Sequence, residues 1–273
     1  MIKITCFADE ISKELEEQLD VLEQEGVRHL EVRGIWGKNV LDFTQDELQQ
    51  IRTRLQERGF AVSSIGSPIG KYEVTDPVEP QLEALDKAIA AARALDTPYI
   101  RIFSFRTPKD EPVENYSGEV LRRMKLLTER AEQEGVTLLL ENDSNLYGNT
   151  DDRCLEILAH CSSPRLRAAF DPGNYVMNNV KPMVDAYPKV SSHIEYIHIK
   201  DATVEPRQFV PAGAGSGDIP ALLADLKARG FSGFLSVEPH LHHYLPEASN
   251  PERVVTAIRA LQQLLKDADW AWE

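Results

Sequence analysis

Four times along this chain a helical stripe of apolar residues stops at a glycine, and an apolar residue then opens a β-rich run. The pairs are Gly26-Val27, Gly59-Phe60, Gly135-Val136 and Gly230-Phe231. Glycine accepts the left-handed backbone that ends a helix, so each pair marks a helix-to-strand joint. Runs with strand character lie at 2–7, 29–33, 61–65, 99–103, 137–141, 166–170, 194–200 and 234–238. Between them, Leu15, Leu19 and Leu22 recur at helical spacing, as do Leu48, Ile51 and Leu55. Leu82, Leu85 and Ile89, then Leu121, Met124 and Leu127, and finally Leu222, Leu223 and Leu226 do the same. Thr44 with Glu47 three residues on forms a capping-box start for the second helix. Eight units in 273 residues average about 34 residues each, close to the size of a β-α-β repeat. No Pro/Ser/Gly-rich linker interrupts the series. The pattern predicts an α/β chain folded as one (β/α)8 TIM barrel over residues 1–273. A doubly wound open sheet is the alternative, but the G-x-G-x-x-G expected after its first strand is missing.

Alternation assigns the two faces of each strand. Barrel strands are buried on both sides, so an inward charge must be paired or bound to something. Ile100 and Ile102 face the helices and Arg101 the interior; Leu30 and Val32 face out, leaving Glu31 and Arg33 inward. By the same rule Glu141, Asp171, His198 with Lys200, and Glu238 point inward at the C-terminal ends of four successive strands. Active sites of this fold lie on that rim. Three carboxylates crowded together would repel and take up protons. A divalent cation removes the conflict, and an oxygen/nitrogen donor set suits Mn²⁺, Mg²⁺, Co²⁺ or Zn²⁺. Glu141, Asp171, His198 and Glu238 are therefore the expected metal ligands.

LLLEN, FDPGN, IHIKD and SVEP, in this order, resemble the sugar phosphate isomerase/epimerase group of xylose-isomerase-like barrels. The opening FADEIS is similar to many of its members, and the resemblance runs from the first strand to the last helix. It implies one divalent metal, often manganese, on the positions matching Glu141, Asp171, His198 and Glu238. It further implies that Glu141 and Glu238 are the catalytic acid/base pair. A metal that polarises a ketone acidifies the adjacent C–H, so one glutamate removes the proton to give an enediolate and the other returns it. Return to the same carbon is epimerisation, and return to the neighbouring carbon is isomerisation. The expected enzyme is an isomerase/epimerase of a small keto-sugar, keto-glycoside or inosose. The alternative is a dehydratase of an inosose or 3-dehydroshikimate-type substrate, through loss of a β-hydroxyl from the same enolate.

Other residues carry two readings each. Asn174 matches a family position that contacts substrate, or is a turn residue. Lys200 neutralises an enolate, or pairs with Asp171 or Glu238. Arg101 and Glu31 bind substrate hydroxyls, or form internal ion pairs. Arg207 lies in the loop where several relatives carry a substrate-contacting arginine, although the spacing differs from the ketose epimerases. His240, with His242 and His243 in EPHLHHY, lines the substrate site or suggests a second metal. PAGAGSGD at 211–218 could cradle a phosphate on backbone N–H groups, though Asp218 reads more simply as a helix N-cap. His29, His160 and His193 read as structural.

A formal charge of −14, from 30 Lys+Arg against 44 Asp+Glu, argues against nucleic acid as partner. The endonuclease IV-like branch of the superfamily needs more histidines on the early strands, where this chain has Phe7, Arg33, Ser64 and Ile65. No stretch of about 18 apolar residues suggests a membrane span. Three cysteines without C-x-x-C spacing, and no signal-peptide core, make the cytoplasm the expected location. The remaining expected partners are a small carbohydrate or cyclitol substrate and further copies of the chain in a homo-oligomer.

Overall fold

The computed structural model describes residues 1–273. Eight parallel strands close into a barrel: β1 (Lys3–Cys6), β2 (His29–Val32), β3 (Ala61–Gly66), β4 (Tyr99–Ile102), β5 (Thr137–Glu141), β6 (Leu166–Phe170), β7 (Ile194–Ile199) and β8 (Phe234–Val237). They run in the order β1-β8-β7-β6-β5-β4-β3-β2 and then back to β1, the arrangement of a (β/α)8 TIM barrel. Each matches its sequence run to within a residue or so at either end. The outer ring holds α1 (Leu15–Gln24), α2 (Gln45–Glu57), α3 (Glu79–Ala94), α4 (Ser117–Glu134) and α5 (Asp151–Cys161), with α8 (Ile219–Ala228) after β7 and α9 (Asn250–Asp267) after β8. Between β6 and β7 the helical segment is broken into α6 (Pro172–Met177), a π turn and α7 (Tyr187–Val190). No helix is long and apolar enough to cross a membrane.

Gly26, Gly59, Gly135 and Gly230 all have φ between +70° and +73°, as the helix-ending role requires. Thr44 and Glu47 close the expected capping box. Two short antiparallel hairpins, Gly34–Ile35 with Lys38–Asn39 and Asp201–Thr203 with Gln208–Val210, had no counterpart in the periodicity. Both stand in the loops after β2 and β7.

One contiguous apolar layer fills the space between strands and helices, built from outward residues such as Leu30, Ile100, Leu138, Leu140 and Ile197. Inside the barrel a smaller cluster of Leu139, Ala169 and Tyr196, backed by Tyr99 and Phe234, forms a separate plug. The inward positions nearer the C-terminal ends are instead charged. The plug therefore closes the barrel below the site, and the charges are shielded on all sides except the rim.

His29, at the start of β2, is buried with its Nδ1 unpartnered, and burial with help from Lys3 lowers its pKa to about 4. Above pH 6.5 it is neutral folded or unfolded and contributes nothing to pH dependence. As pH falls from 6.5 towards 4, the unfolded chain takes up a proton that the folded chain refuses. This should remove about 2–3 kcal/mol of stability over that window. Urea unfolding across pH 4–7 checks it: His29→Gln should flatten the acid limb, and an unchanged limb would dismiss the assignment.

Candidate active site

Short sequence signals fix the rim. In the E-N step after β5, Asn142 Nδ2 donates to the Asp171 carbonyl (2.9 Å) and its Oδ1 accepts from Asp171 N–H (3.0 Å). The end of β5 is thereby tied to the end of β6. In D-P-G-N, Asp171 caps α6: its Oδ1 accepts from Asn174 N–H at 2.8 Å, and Pro172 occupies the first turn, where no N–H is needed. Gly173 is required, because a Cβ there would lie 2.8 Å from the Lys200 carbonyl oxygen. Capping uses one Asp171 oxygen and leaves Oδ2 buried, with no hydrogen bond, 2.9 Å from Lys200 Nζ.

Donor atoms of Glu141, Asp171, His198 and Glu238 all lie within 4.8 Å of one another, and all four residues are buried. His198 is wholly enclosed, with Nδ1 3.3 Å from Glu141 Oε1 and Nε2 3.3 Å from Glu31 Oε2. Neither ring nitrogen completes a hydrogen bond. Phe7 and Tyr196 hold the imidazole edge-to-face at 5.3 and 5.7 Å between ring centroids. Three carboxylate donors and one imidazole, with buried lone pairs left without partners, fit a hard or borderline divalent cation.

Cations surround the acids. Lys200 Nζ is 2.5 Å from Glu238 Oε2 and 3.9 Å from Glu141 Oε1. Arg101 donates to Glu141 Oε2 at 3.2 Å, and Asn174 Nδ2 donates to Glu141 Oε1 at 3.1 Å. Glu238 Oε1 also accepts from Arg33 at 3.3 Å and lies 3.0 Å from His240 Nε2. Burial raises the Glu141 carboxyl pKa, but His198 and Arg101 outweigh it and hold the group down at about 2. Glu238 also goes down despite burial, because Lys200 and His240 stabilise its charge. Burial wins at Asp171, which is pushed up to about 7 although Lys200 opposes it. The two glutamates and the aspartate thus occupy different electrostatic settings within one cluster.

A cavity of about 490 Å³ opens over this cluster. Glu141, Glu238, Arg101, Asn174, Lys200 and His240 line it. Asp171 and His198 are fully enclosed beside them. Two expected contacts do not reach the cavity. Arg207 is exposed on the turn of the hairpin after β7, where it donates to Asn179 Oδ1 at 2.6 Å. Glu31 is inside the barrel, where its Oε2 accepts from Ser236 (2.7 Å) and Tyr196 (3.0 Å). Alternation told that Glu31 points inward but not how deep. Of the three histidines after β8, only His240 joins the acids, while His242 and His243 are exposed. Glu10, Glu238 and His240 form a small cluster of their own, but Arg33 already meets Asp9, Glu10 and Glu238 and supplies its positive charge.

The glycine-rich loop at 211–218 holds an anion from its own chain. Asp201 accepts from the N–H groups of Gly213 (2.9 Å), Gly215 (3.0 Å), Gly217 (2.8 Å) and Ala202 (2.8 Å). Those donors are spent, so no phosphate cradle remains. Asp218 stands at the start of α8 with φ +53° and makes no side-chain cap.

Residues that the strand reading missed come mostly from loops: Asn39, Pro68, Lys71, Phe103, Asp143, Ser144, Met177 and Phe209. Loops carry no periodicity to betray them. Arg33 and the Asp9-Glu10 pair were visible as an inward charge at the end of β2 and two acids just after β1. What the sequence lacked was the knowledge that they meet.

Comparison with known proteins bears on this arrangement. Fructoselysine 3-epimerase of Shigella flexneri is 28% identical over 163 residues, 58% of this chain and 58% of that protein. The chain thus matches rather more than half of that relative's length. Among solved structures, the probable 3-DHS dehydratase AsbF from Bacillus anthracis superposes with a TM-score of 0.77 at 16% identity, over 96% of this chain and 99% of that one. The IOLI protein with a bound zinc atom superposes with a TM-score of 0.75 at 19% identity, over 97% and 99%. The family model described as xylose isomerase-like TIM barrel matches residues 11–264. With the closed eight-stranded barrel, that match establishes that the chain belongs to the xylose isomerase-like TIM barrel family.

Proposed function

We propose that this protein is a divalent-metal-dependent isomerase or epimerase of a small keto-sugar, keto-glycoside or inosose. The observation that carries the reading is the pair of buried glutamates, Glu141 on β5 and Glu238 just beyond β8. Both line one cavity, and both have donor atoms within 4.8 Å of Asp171 and His198. Glu141, Asp171, His198 and Glu238 would hold the ion, with Mn²⁺ the first choice among Mn²⁺, Mg²⁺, Co²⁺ and Zn²⁺. Bound there, such an ion polarises a substrate carbonyl and acidifies the neighbouring C–H. Glu141 and Glu238, approaching the substrate from different strands, exchange the proton: one removes it and the other returns it. Arg101 and Asn174 keep Glu141 oriented, and Lys200 offsets negative charge on the enediolate. His240 and Arg33 hold Glu238 in turn.

The epimerase relative and the zinc-bound structural neighbour support this reading. The three buried, unpaired cysteines bear only on location, and fit the cytoplasm we assign to the protein. Incubation of the metal-loaded protein with a ketose and inosose panel in D₂O tests it. Deuterium should wash into a carbon next to the carbonyl, and a metal-loaded protein that exchanges none of the panel would sink the proposal.

A dehydratase of an inosose or 3-dehydroshikimate-type substrate is the second reading. Lys200, an ammonium group among three carboxylates, could protonate a departing hydroxyl, and the AsbF likeness points the same way. Growth of a conjugated chromophore on turnover would select it over epimerisation.

A further inference from the structure

Glu31 is a buried acid that the cavity does not use. Its side chain is fully enclosed, and one of its oxygens, Oε2, is fixed by two hydroxyl donors from neighbouring strands, Tyr196 on β7 and Ser236 on β8. Behind them Ser63 contacts the Tyr196 hydroxyl at 2.9 Å and Thr5 at 2.7 Å. The same Oε2 is the atom 3.3 Å from His198 Nε2, and His198 is the one basic side chain within ion-pair distance of Glu31. Glu31 Oε1 and both His198 nitrogens are buried without hydrogen bonds. The other ring nitrogen, Nδ1, faces Glu141.

A neutral imidazole carries a single N–H, and the group that accepts it decides which nitrogen keeps a free lone pair. We propose that Glu31 is a positioning residue that holds the His198 proton on Nε2 and so presents Nδ1 to the cation site formed with Glu141, Asp171 and Glu238. The proposal rests on the metal-dependent reading above. It makes the hydroxyls of Tyr196 and Ser236 part of the same support, because they fix where the Glu31 carboxylate stands. A purely structural Glu31 would matter to folding and not to metal affinity.

Glu31→Gln keeps shape and removes charge, so it is the first variant, with Co²⁺ titration followed by visible absorbance. Its dissociation constant for Co²⁺ should rise ten- to a hundredfold, with the metal-free melting temperature near that of the parent. In a His198→Ala background the same change should add less than twofold, since Glu31 acts through the imidazole. In Zn²⁺-loaded protein with ¹⁵N-labelled histidine, the parent should show a protonated His198 Nε2, and the variant should lose that uniform state. Ser236→Ala should weaken Co²⁺ binding a fewfold with the same dependence on His198, and it decides the matter if Glu31→Gln fails to fold. Unchanged affinity, or equal losses with and without His198, overturns the proposal while leaving the metal site intact. A parent protein that binds neither cation overturns this proposal together with the functional reading beneath it.

Discussion

Glu238→Gln should lower turnover by about a thousandfold, and Glu141→Gln by a similar factor, in metal-loaded protein acting on its substrate. The change keeps side-chain volume and removes the ability to take and return a proton. It also removes a negative charge from a cluster that counters Lys200, Arg101 and Arg33, so metal content must be measured alongside the rate. Stoichiometric metal with lost turnover identifies an acid/base group, whereas lost metal with a matching loss of rate identifies a ligand alone. Deuterium exchange separates the two glutamates. A variant that still exchanges one face of the substrate while failing to complete the conversion has kept one proton-transfer partner and lost the other. Turnover within tenfold of the parent for either variant would remove that glutamate from the mechanism.

Asp201→Ala should destabilise the folded protein by about 3 kcal/mol, through charged hydrogen bonds worth roughly 1.5–3 kcal/mol each that are partly replaced by water. Four backbone N–H groups converge on this one carboxylate, and the glycines are not interchangeable with larger residues. A Cβ on Gly215 or Gly217 would lie 2.4 or 2.6 Å from Asp201 Oδ1. For a chain of this size the loss corresponds to a drop of about 6–12 °C in melting temperature. Asp201→Asn should cost less, because the amide oxygen can still accept some of the N–H groups. A melting temperature within a degree of the parent for Asp201→Ala would show that the loop finds its fold without its internal anion.

The strands and the rim donors were legible because both obey strict periods. An inward residue at the end of each of β5 to β8 follows from alternation, and a charge there has few structural uses. Depth was not legible: Glu31 and Glu141 read alike as inward acids, yet one meets Ser236 and Tyr196 while the other lines the cavity. Arg207 stands away from the cavity for a different reason. The segment after β7 turns back as a hairpin, and no periodicity in three-residue strands announces it. The glycine-rich loop was legible as an anion cradle, but the anion was Asp201, ten residues before the loop begins. Backbone N–H groups do not distinguish a carboxylate of the chain from a ligand's phosphate.

The four donors all come from β5 to β8, whereas Arg33 and Arg101 come from β2 and β4 and the apolar wall at Phe103 follows β4. The four candidate donors therefore belong to one half of the barrel, and much of the remaining cavity lining belongs to the other. A chimera that takes its first half from another barrel of this kind would keep all four donors but exchange Glu31, Arg33 and Arg101, the charges that face His198, Glu238 and Glu141. The donor set is thus carried by one half of the barrel and its electrostatic setting by both, so the two halves must match each other for the cluster to keep its balance of charge.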